Sequence, residues 1–333
     1  MSLPSRRETI WANLIHLSFN MWFDCPPSLF KPNNRAGIMQ PYLRFDDRLW
    51  NDILQKMAAV GMNMVVLDLG DAVRYRSHPE IAVKNAWTPK RLKQELAKAR
   101  AMGLEPIPKL NFATSHDNWL GPYSRMVSTE PYYRVCRDLI AEVGELFDGP
   151  RFFHLGMDEE TAVNQIYNRH VVIRQFDLFW DDLNFLFDQV RKCGARPWIW
   201  SDYQWYHPEE FFKQMPKSVL QSNWWYYTSL NPKTILTRCN PQDGNMEKVM
   251  RLKPVEAYLQ LEQHGYDQVP TSSTCAKSKH FANTVAFARR RIAPRRLFGF
   301  MQTTWCPTLE KYRAQHLKAV DLVGAVIKKE SRT

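Results

Sequence analysis

The chain has 333 residues, of which 44% are hydrophobic and 24% are charged, a balance typical of a globular protein with a sizeable core. This length suits two ordinary domains or one large α/β barrel. No run of 18 apolar residues occurs, so no membrane span is predicted. The first residues lack the apolar stretch of a signal peptide, so we expect a cytoplasmic protein as written, or a periplasmic or secreted one if an export signal was trimmed.

The formal net charge of +11 raises the possibility of a nucleic-acid or acidic-glycan partner. Basic residues are densest in ARRRIAPRR, at 288–296. No nucleic-acid motif accompanies this segment, so we interpret it as a solvated helix end and expect no nucleic-acid partner. The six cysteines lie far apart without CxxC or Cys/His spacing, which disfavours a structural zinc site and leaves disulfides open.

Short apolar runs alternate with amphipathic stretches along the chain. Strands are predicted at residues 14–22, 62–70, 104–112, 151–158, 196–202, 219–226, 266–274 and 296–305. Helices are predicted after them at residues 46–61, 88–103, 129–147, 173–194, 207–215, 255–265, 279–292 and 309–329. Glycines at several helix ends support these bounds.

Eight strand-helix units predict a single (β/α)8 TIM barrel of the α/β class, with residues 1–333 as one domain. An open doubly wound sheet is the alternative, but no GxGxxG follows the first strand. The longest irregular stretch, at about 227–254, is interpreted as a loop excursion over the barrel mouth and not as a domain boundary.

Polar and aromatic side chains follow the predicted strands, where the mouth of such a barrel carries its function. Carboxylates and amides bind hydroxyls, and flat rings cover the apolar face of a sugar, so we expect a carbohydrate substrate, although any single Trp could fill the core. The residues expected to bind substrate are Asn20, Trp22, Asn111, His116, Asp117, Trp200, Asp202, Tyr203, Trp224, Trp225, Tyr226 and Trp305.

The segment FHLGMDEE ends predicted strand four in three acids. A glycosidic bond needs a proton on its leaving oxygen and stabilisation of the oxocarbenium-like carbon, and Asp158 and Glu159 could divide these roles. Adjacent strand residues point to opposite faces, so both reach one pocket only if the strand loosens at Gly156. Alternatively the acids cap the next helix, as we expect for Glu160. His154, inside the strand, is interpreted as a buried core group.

FHLGMDEE resembles the His-x-Gly-x-Asp-Glu signature of family 20 glycoside hydrolases, the β-N-acetylhexosaminidases. The resemblance implies that Glu159 is the general acid/base and that Asp158 orients the 2-acetamido group of the substrate. That group then acts as the internal nucleophile, with net retention. No metal or cofactor is implied. The resemblance also implies that the pocket walls are formed by Trp200, Trp224 and Trp305. It implies a tyrosine, either Tyr203 or Tyr226, as a hydrogen-bond partner of the acetamido group.

The chain departs from the family pattern at two points. The end of strand one, SFNMWFD, lacks the Arg that the family usually carries there. The segment NFATSHDNW keeps the His of the strand-three motif and lacks its Asp, Pro and Gly. Both departures leave the preferred sugar open.

Three other functions remain open from the sequence. One is a barrel glycosidase of other specificity, using Glu159 with a second carboxylate such as Asp202. Another is a carbohydrate-binding barrel without catalysis. The last is a binder of nucleic acid or another acidic polymer, which the net charge alone would favour. The sequence predicts no particular oligomeric state.

Overall fold

The computed structural model describes residues 8–29, 36–226, 229–237, 245–274 and 280–332. The strands are β1 Ile10–His16, β2 Met64–Asp68, β3 Glu105–Lys109, β4 Phe152–His154, β5 Arg196–Trp200, β6 Leu220–Ser222, β7 Thr271–Ser273 and β8 Gly299–Thr303. The helices are α1 Asp47–Ala59, α2 Pro89–Ala101, α3 Glu130–Leu146, α4 Asp177–Lys192, α5 Tyr203–Tyr206, α6 Pro208–Gln214, α7 Pro232–Thr237, α8 Asn245–Gln263, α9 His280–Arg291 and α10 Arg313–Glu330.

The eight strands form one parallel sheet in the order β6-β5-β4-β3-β2-β1-β8-β7. The two end strands approach each other through parallel bridges that pair Gln221 with Gln268 and Trp224 with Thr271. The barrel is therefore nearly closed, and the predicted (β/α)8 fold is confirmed. That residues 1–333 form one domain stays a prediction.

The first three helices begin at side-chain caps that the sequence supplies. Asp46 accepts hydrogen bonds from the N–H groups of Arg48 and Leu49 at the start of α1. Thr88 caps α2 in the same way, with Pro89 as the first helical residue. These caps fix where each helix starts, so its apolar face meets the outside of the barrel.

Alternation along β1 separates two apolar cores. Trp11 and Ile15 pack between the barrel and its helices, whereas Ala12 and Leu14 pack inside the barrel. Successive strand residues point to opposite faces, so the next inward position after Leu14 is His16. The barrel interior thus becomes polar at the top of its first strand.

The same change occurs on the next three strands. The register pairs His16 with Asp68, Asp68 with Lys109, and Lys109 with His154, and all four are at most 2% exposed. Lys109 Nζ lies 2.5 Å from Asp68 Oδ2, and that oxygen lies 3.3 Å from His16 Nδ1. We call these four residues the polar layer. It separates the apolar interior from the mouth.

Several predicted bounds are wrong. β1 ends at His16 and not at residue 22, because the N–H groups of Leu17 and Ser18 both turn to donate to the Asp68 carbonyl. The predicted loop excursion at 227–254 contains α7 and the first turns of α8, which begins ten residues earlier than predicted. Residues 227–228 and 238–244 lie outside the described part of the chain.

No helix in the ranges described is both long and apolar enough to cross a membrane. Cys25, Cys136 and Cys193 are free thiols. Cys239 and Cys275 lie outside the described residues, so the disulfide question raised by the sequence is not tested for them.

Candidate active site

The chain leaves β4 through a sharp turn that the sequence anticipates at Gly156. The φ angles of Gly156, Met157 and Glu159 are 71°, 73° and 56°, all in the left-handed region. The ring nitrogen Nδ1 of His154 accepts the Gly156 N–H at 3.0 Å, and the side-chain oxygen of Asn111 accepts the Met157 N–H at 3.1 Å. His154 is therefore a buried core group, as predicted, and it fixes this turn.

The turn brings two neighbouring carboxylates to one imidazole. His116 Nε2 lies 3.4 Å from Asp158 Oδ2 and 3.3 Å from Glu159 Oε2. Asn111 donates its side-chain N–H to Asp158 Oδ1 at 2.7 Å, and the Ser115 hydroxyl donates to the Asp158 carbonyl at 3.0 Å. Four residues named from the sequence, on two strand ends, thus form one cluster.

The two acids of this cluster differ in their surroundings. Burial disfavours a charged His116, but the two carboxylates outweigh it and raise its pKa to about 10. Burial also disfavours a charged Asp158, yet His116, Lys109 and the Asn111 hydrogen bond hold the pKa of Asp158 well below its usual range. Asp158 is therefore an anion and His116 a cation at neutral pH. The Glu159 side chain is 30% exposed and the Asp158 side chain is 8% exposed, so Glu159 is the more accessible of the two acids.

Asp202, at the end of β5, is the third carboxyl group of the site. Its Oδ2 accepts the Glu159 backbone N–H at 2.8 Å, and its Oδ1 accepts the indole N–H of Trp224 at 3.1 Å. Burial, and then the charge of Asp158, raises the pKa of Asp202 to about 7. Asp202 therefore exchanges its proton close to neutral pH.

Aromatic rings form a wall beside the carboxylate cluster, where the Trp22 ring lies 4.7 Å from the His116 ring. The Trp305 ring lies 5.9 Å from Trp22, 5.9 Å from Trp200 and 6.4 Å from Tyr226 between centroids. Trp224 stacks on Tyr226 at 5.0 Å. The indole N–H groups of Trp22, Trp200 and Trp305 are buried and find no hydrogen-bond partner within the described part of the chain. Trp200, which was expected to bind substrate, is 1% exposed and packs inside the barrel, so the flat surface at the mouth comes from the partly exposed rings of Trp22, Trp224, Tyr226 and Trp305.

Other residues expected to bind substrate lie elsewhere. Trp225 points away from its neighbour Trp224 and packs with α7 and α8, donating its indole N–H to the Ser229 carbonyl. This follows from strand alternation, which sends adjacent side chains to opposite faces. Asp117 is fully buried and accepts bonds from the Ser124 hydroxyl and the Arg125 N–H, so it shapes the loop after β3.

Asn20 and Tyr203 also have protein partners. The Asn20 side chain donates to Asp71 at 2.8 Å and accepts the Gln40 N–H at 3.0 Å. Tyr203 stacks on Phe179 at 4.0 Å and donates its hydroxyl to Glu210 at 3.2 Å. Neither of them touches the carboxylate cluster through these bonds.

The helix-cap interpretation of the three acids is wrong. α4 begins only at Asp177, and Glu160 instead forms a buried ion pair with Arg174, whose Nε lies 2.7 Å from Glu160 Oε1. Arg174 also lies 3.2 Å from Asp182 on α4. Glu160 therefore ties the loop after β4 to the helix that follows it.

The cluster also has donor atoms of the type that bind metals. One atom each of His116, Asp158 and Glu159 lies within 4.8 Å of the others. A cation bound there would have to displace the proton that the two carboxylates favour on His116.

Sequence reasoning missed the polar layer under this cluster, in particular Lys109. The signal was alternation: Ile107, Lys109 and Asn111 occupy the same face of one strand. Asn111 was placed at the mouth, so a lysine two residues earlier had to point into the barrel. A cation inside a barrel needs a carboxylate partner, which Asp68 provides.

The structure is thus a (β/α)8 barrel whose mouth carries three carboxyl groups beside aromatic rings. No protein-family model and no curated protein matches the chain in sequence. The similar solved structures include a family 20 exo-β-N-acetylglucosaminidase from Vibrio harveyi in complex with N-acetylglucosamine, at 12% identity and a TM-score of 0.61. They also include family 20 or β-N-acetylhexosaminidase structures from Streptomyces coelicolor A3(2), at 13% and 0.58, and Bacteroides fragilis, at 11% and 0.58.

These matches cover 95–96% of this chain but only 54%, 65% and 66% of the other three chains. The chain thus spans about half to two thirds of their length. At such low identity the likeness establishes the fold alone. The resemblance to family 20 glycoside hydrolases is confirmed at that level: the barrel of this chain is similar in fold to theirs.

Proposed function

We propose that this chain is a retaining glycoside hydrolase that removes terminal N-acetylhexosamine-type sugars by substrate-assisted catalysis. One observation carries the proposal: the two adjacent acids Asp158 and Glu159 share one cationic imidazole but have opposite surroundings. Asp158 is buried and held as an anion by Asn111 and His116. Glu159 is partly open to the mouth.

These surroundings suit a division of labour. The Glu159 carboxylic acid gives its proton to the glycosidic oxygen as the bond from that oxygen to the anomeric carbon breaks. The acetamido oxygen of the same sugar forms the new bond to that carbon, giving a cyclic intermediate with a positively charged nitrogen. The Asp158 anion accepts the N–H of that group and stabilises the charge. Water then attacks the anomeric carbon as the bond from that carbon to the acetamido oxygen breaks, Glu159 takes the proton of the water, and the two inversions retain the configuration.

The rest of the mouth supports a sugar as the substrate. The partly exposed rings of Trp224, Tyr226 and Trp305 present flat surface at the mouth. The solved structures of similar fold carry the names β-N-acetylglucosaminidase and β-N-acetylhexosaminidase, which favours a 2-acetamido sugar. No cofactor takes part in this chemistry.

The test compares two aryl β-glycosides, one with and one without the 2-acetamido group. The wild-type protein should cleave only the acetamido substrate. Glu159→Gln should lower its kcat/KM by about 10²- to 10⁴-fold, because the proton donor is lost. Glu209→Gln, which changes an exposed acid on α6, should leave the rate unchanged. Full activity of Glu159→Gln would overturn the proposal.

A second candidate is favoured by the position of Asp202. Its carboxyl group contacts the Glu159 backbone and titrates near neutral pH, so it could serve as the partner carboxylate of a glycosidase with other specificity. That enzyme would cleave both aryl glycosides equally well. Asp202→Asn would then abolish activity, and Asp158→Asn would not.

A further inference from the structure

Three side chains accept backbone N–H groups of the turn after β4. His154, Asn111 and Asp202 lie at the ends of β4, β3 and β5, and Asp202 accepts the N–H of Glu159, the proposed catalytic acid. Asn111 is an amide, and burial lowers the pKa of His154 so far that its ring stays neutral. Asp202 is thus the acceptor of this turn that can carry a negative charge.

Asp202 also stands at the N-cap position of α5, where an aspartate usually accepts the first free N–H groups of its own helix. None of the described N–H groups of α5 donates to its side chain. The two oxygens accept bonds from other segments instead: Oδ2 from the Glu159 N–H at 2.8 Å, and Oδ1 from the Trp224 indole N–H at 3.1 Å. Helix capping therefore does not explain the aspartate.

A carboxylate is costly at this place. Asp202 is 4% exposed, and the neighbouring anion at Asp158 disfavours a second negative charge. The two N–H donors favour the charged form and offset part of this cost. A neutral side chain would avoid the cost, so the presence of Asp202 is better explained by what its carboxylate holds than by packing.

The backbone that Asp202 holds is in an unfavourable conformation. The φ angle of Glu159 is 56°, in the left-handed region that residues with a Cβ atom rarely adopt. Such a conformation persists only where its surroundings enforce it. Without the bond to Asp202 the Glu159 backbone could relax, and its carboxyl group would move from its place 3.3 Å from His116 Nε2.

Only an ionised carboxylate can accept both bonds fully. An amide at position 202 would accept one N–H and present a donor to the other, and a protonated carboxyl group would likewise turn one oxygen into a donor. Trp224 stacks on Tyr226 in the aromatic wall, with 5.0 Å between centroids. One ionised side chain therefore connects the proposed acid to the wall of the mouth.

We propose that Asp202 is a positioning residue: its carboxylate fixes the Glu159 backbone and the Trp224 ring, and so places the Glu159 carboxyl group at the leaving oxygen of the substrate. The proposal rests on the proposed hydrolase function and adds to it a control by pH. In this role Asp202 does not touch the reacting atoms, because an N–H group occupies each of its oxygens.

The groups that face Asp202 determine when this carboxylate is charged. The carboxylates of Asp158 and Glu159 favour its protonated form, as burial does, and the N–H groups of Glu159 and Trp224 favour its charged form. Burial, and then the charge of Asp202, raises the pKa of Tyr206 on α5, which therefore stays neutral. The pKa of Asp202 is about 7, so the two bonds should weaken as pH falls below 7.

The first test needs no turnover. In protein labelled with ¹⁵N-glutamate, the Glu159 N–H signal is identified by its absence in Glu159→Gln and followed by NMR. Its proton resonance should shift with a midpoint near pH 7, and Asp202→Asn should abolish the shift. The control is Asp71→Asn, which removes another buried carboxyl group with a raised pKa, about 6, that bonds to Ser18 and Asn20. It should leave the shift in place.

The second test measures the rate on the aryl glycoside with the 2-acetamido group. Asp202→Asn should lower kcat about 10²-fold and change KM less than about threefold, because the substrate still meets the wall while the acid is displaced. The kcat of the wild type should fall below about pH 7, a limb that Asp202→Asn should lose and Asp71→Asn should keep. Trp224→Phe keeps the ring and removes the indole N–H, so it should lower kcat less than Asp202→Asn.

Each contrary result has a separate meaning. A Glu159 signal that does not respond to Asp202→Asn would overturn the proposal, as would a loss of activity that lies in KM alone. Equal cleavage of a glycoside without the acetamido group, abolished by Asp202→Asn, would make Asp202 a catalytic residue, and the positioning role would fail. A Glu159 signal that follows Asp202 in a wild type that hydrolyses no glycoside would uphold the hold on Glu159 and overturn the proposed function.

Discussion

The two halves of the barrel mouth are built on different principles. The ends of β1 to β4 carry interlocked charges, in which Lys109, Asp68 and His16 lie under His116 and Asp158. The ends of β5, β6 and β8 carry most of the aromatic rings at the mouth, Trp22 joins them from the loop after β1, and Asp202 is the carboxyl group among them. The charged half determines the protonation states of His116 and Asp158, whereas the aromatic half provides the flat surface of the mouth. Damage to the two halves should therefore be visible in different measurements.

The largest effect is expected in the charged half. Lys109→Met leaves the Asp68 carboxylate buried without its cation, so the free energy of unfolding should fall by about 3–5 kcal/mol. The control is Lys56→Met, which breaks the exposed pair with Asp321 and should cost about 1 kcal/mol or less. Urea unfolding followed by circular dichroism measures both. Similar losses for the two variants would mean that the polar layer carries no special stability.

The second effect depends on pH. Because the pKa of His116 is about 10 in the folded chain, above the ordinary value of 6.5, its contribution to stability is complete below pH 6.5 and is lost as pH rises to 10. His116→Gln should therefore destabilise the protein most at pH 6, and the difference should shrink by up to about 1.4 kcal/mol per pH unit above 6.5. A difference that stays constant from pH 6 to 10 would show that His116 is neutral.

The smallest effect is expected in the aromatic half. Trp305→Ala removes a partly exposed ring that packs against Trp22 and Trp200, and no charge is left unpaired. We expect the affinity for N-acetylglucosamine to fall about tenfold, or about 1.4 kcal/mol, with a smaller loss of stability than for Lys109→Met. Calorimetry with the single sugar checks the affinity. The contrast between the two halves would be wrong if Trp305→Ala lowered the free energy of unfolding by more than it lowered the free energy of binding.

The sequence was informative where local rules apply and uninformative where partners are distant along the chain. Strand-helix alternation predicted the barrel, and the acids after strand four predicted the carboxylate cluster. The length of β1 was overestimated because apolar residues continue in the sequence past His16. In the structure the N–H groups of Leu17 and Ser18 both donate to the Asp68 carbonyl, which ends the strand. The prediction that Trp225 binds substrate was wrong because the sequence does not show which of two adjacent Trp residues faces the mouth. The Glu160–Arg174 ion pair could not be predicted, because it depends on the conformation of the loop after β4. Hydrophobic periodicity carries no information about that conformation.

The turn after β4 has a consequence for how this sequence can change. A Cβ atom on Gly156 would lie 1.9 Å from the side-chain oxygen of Asn111, which also receives the Met157 N–H. A smaller residue at position 111 would not make room for alanine, because the backbone Cα of Asn111 would still lie 2.8 Å from that Cβ atom and the φ of 71° disfavours alanine. Position 156 therefore accepts only glycine while the chain after β4 passes this close to Asn111, the residue that bonds Asp158.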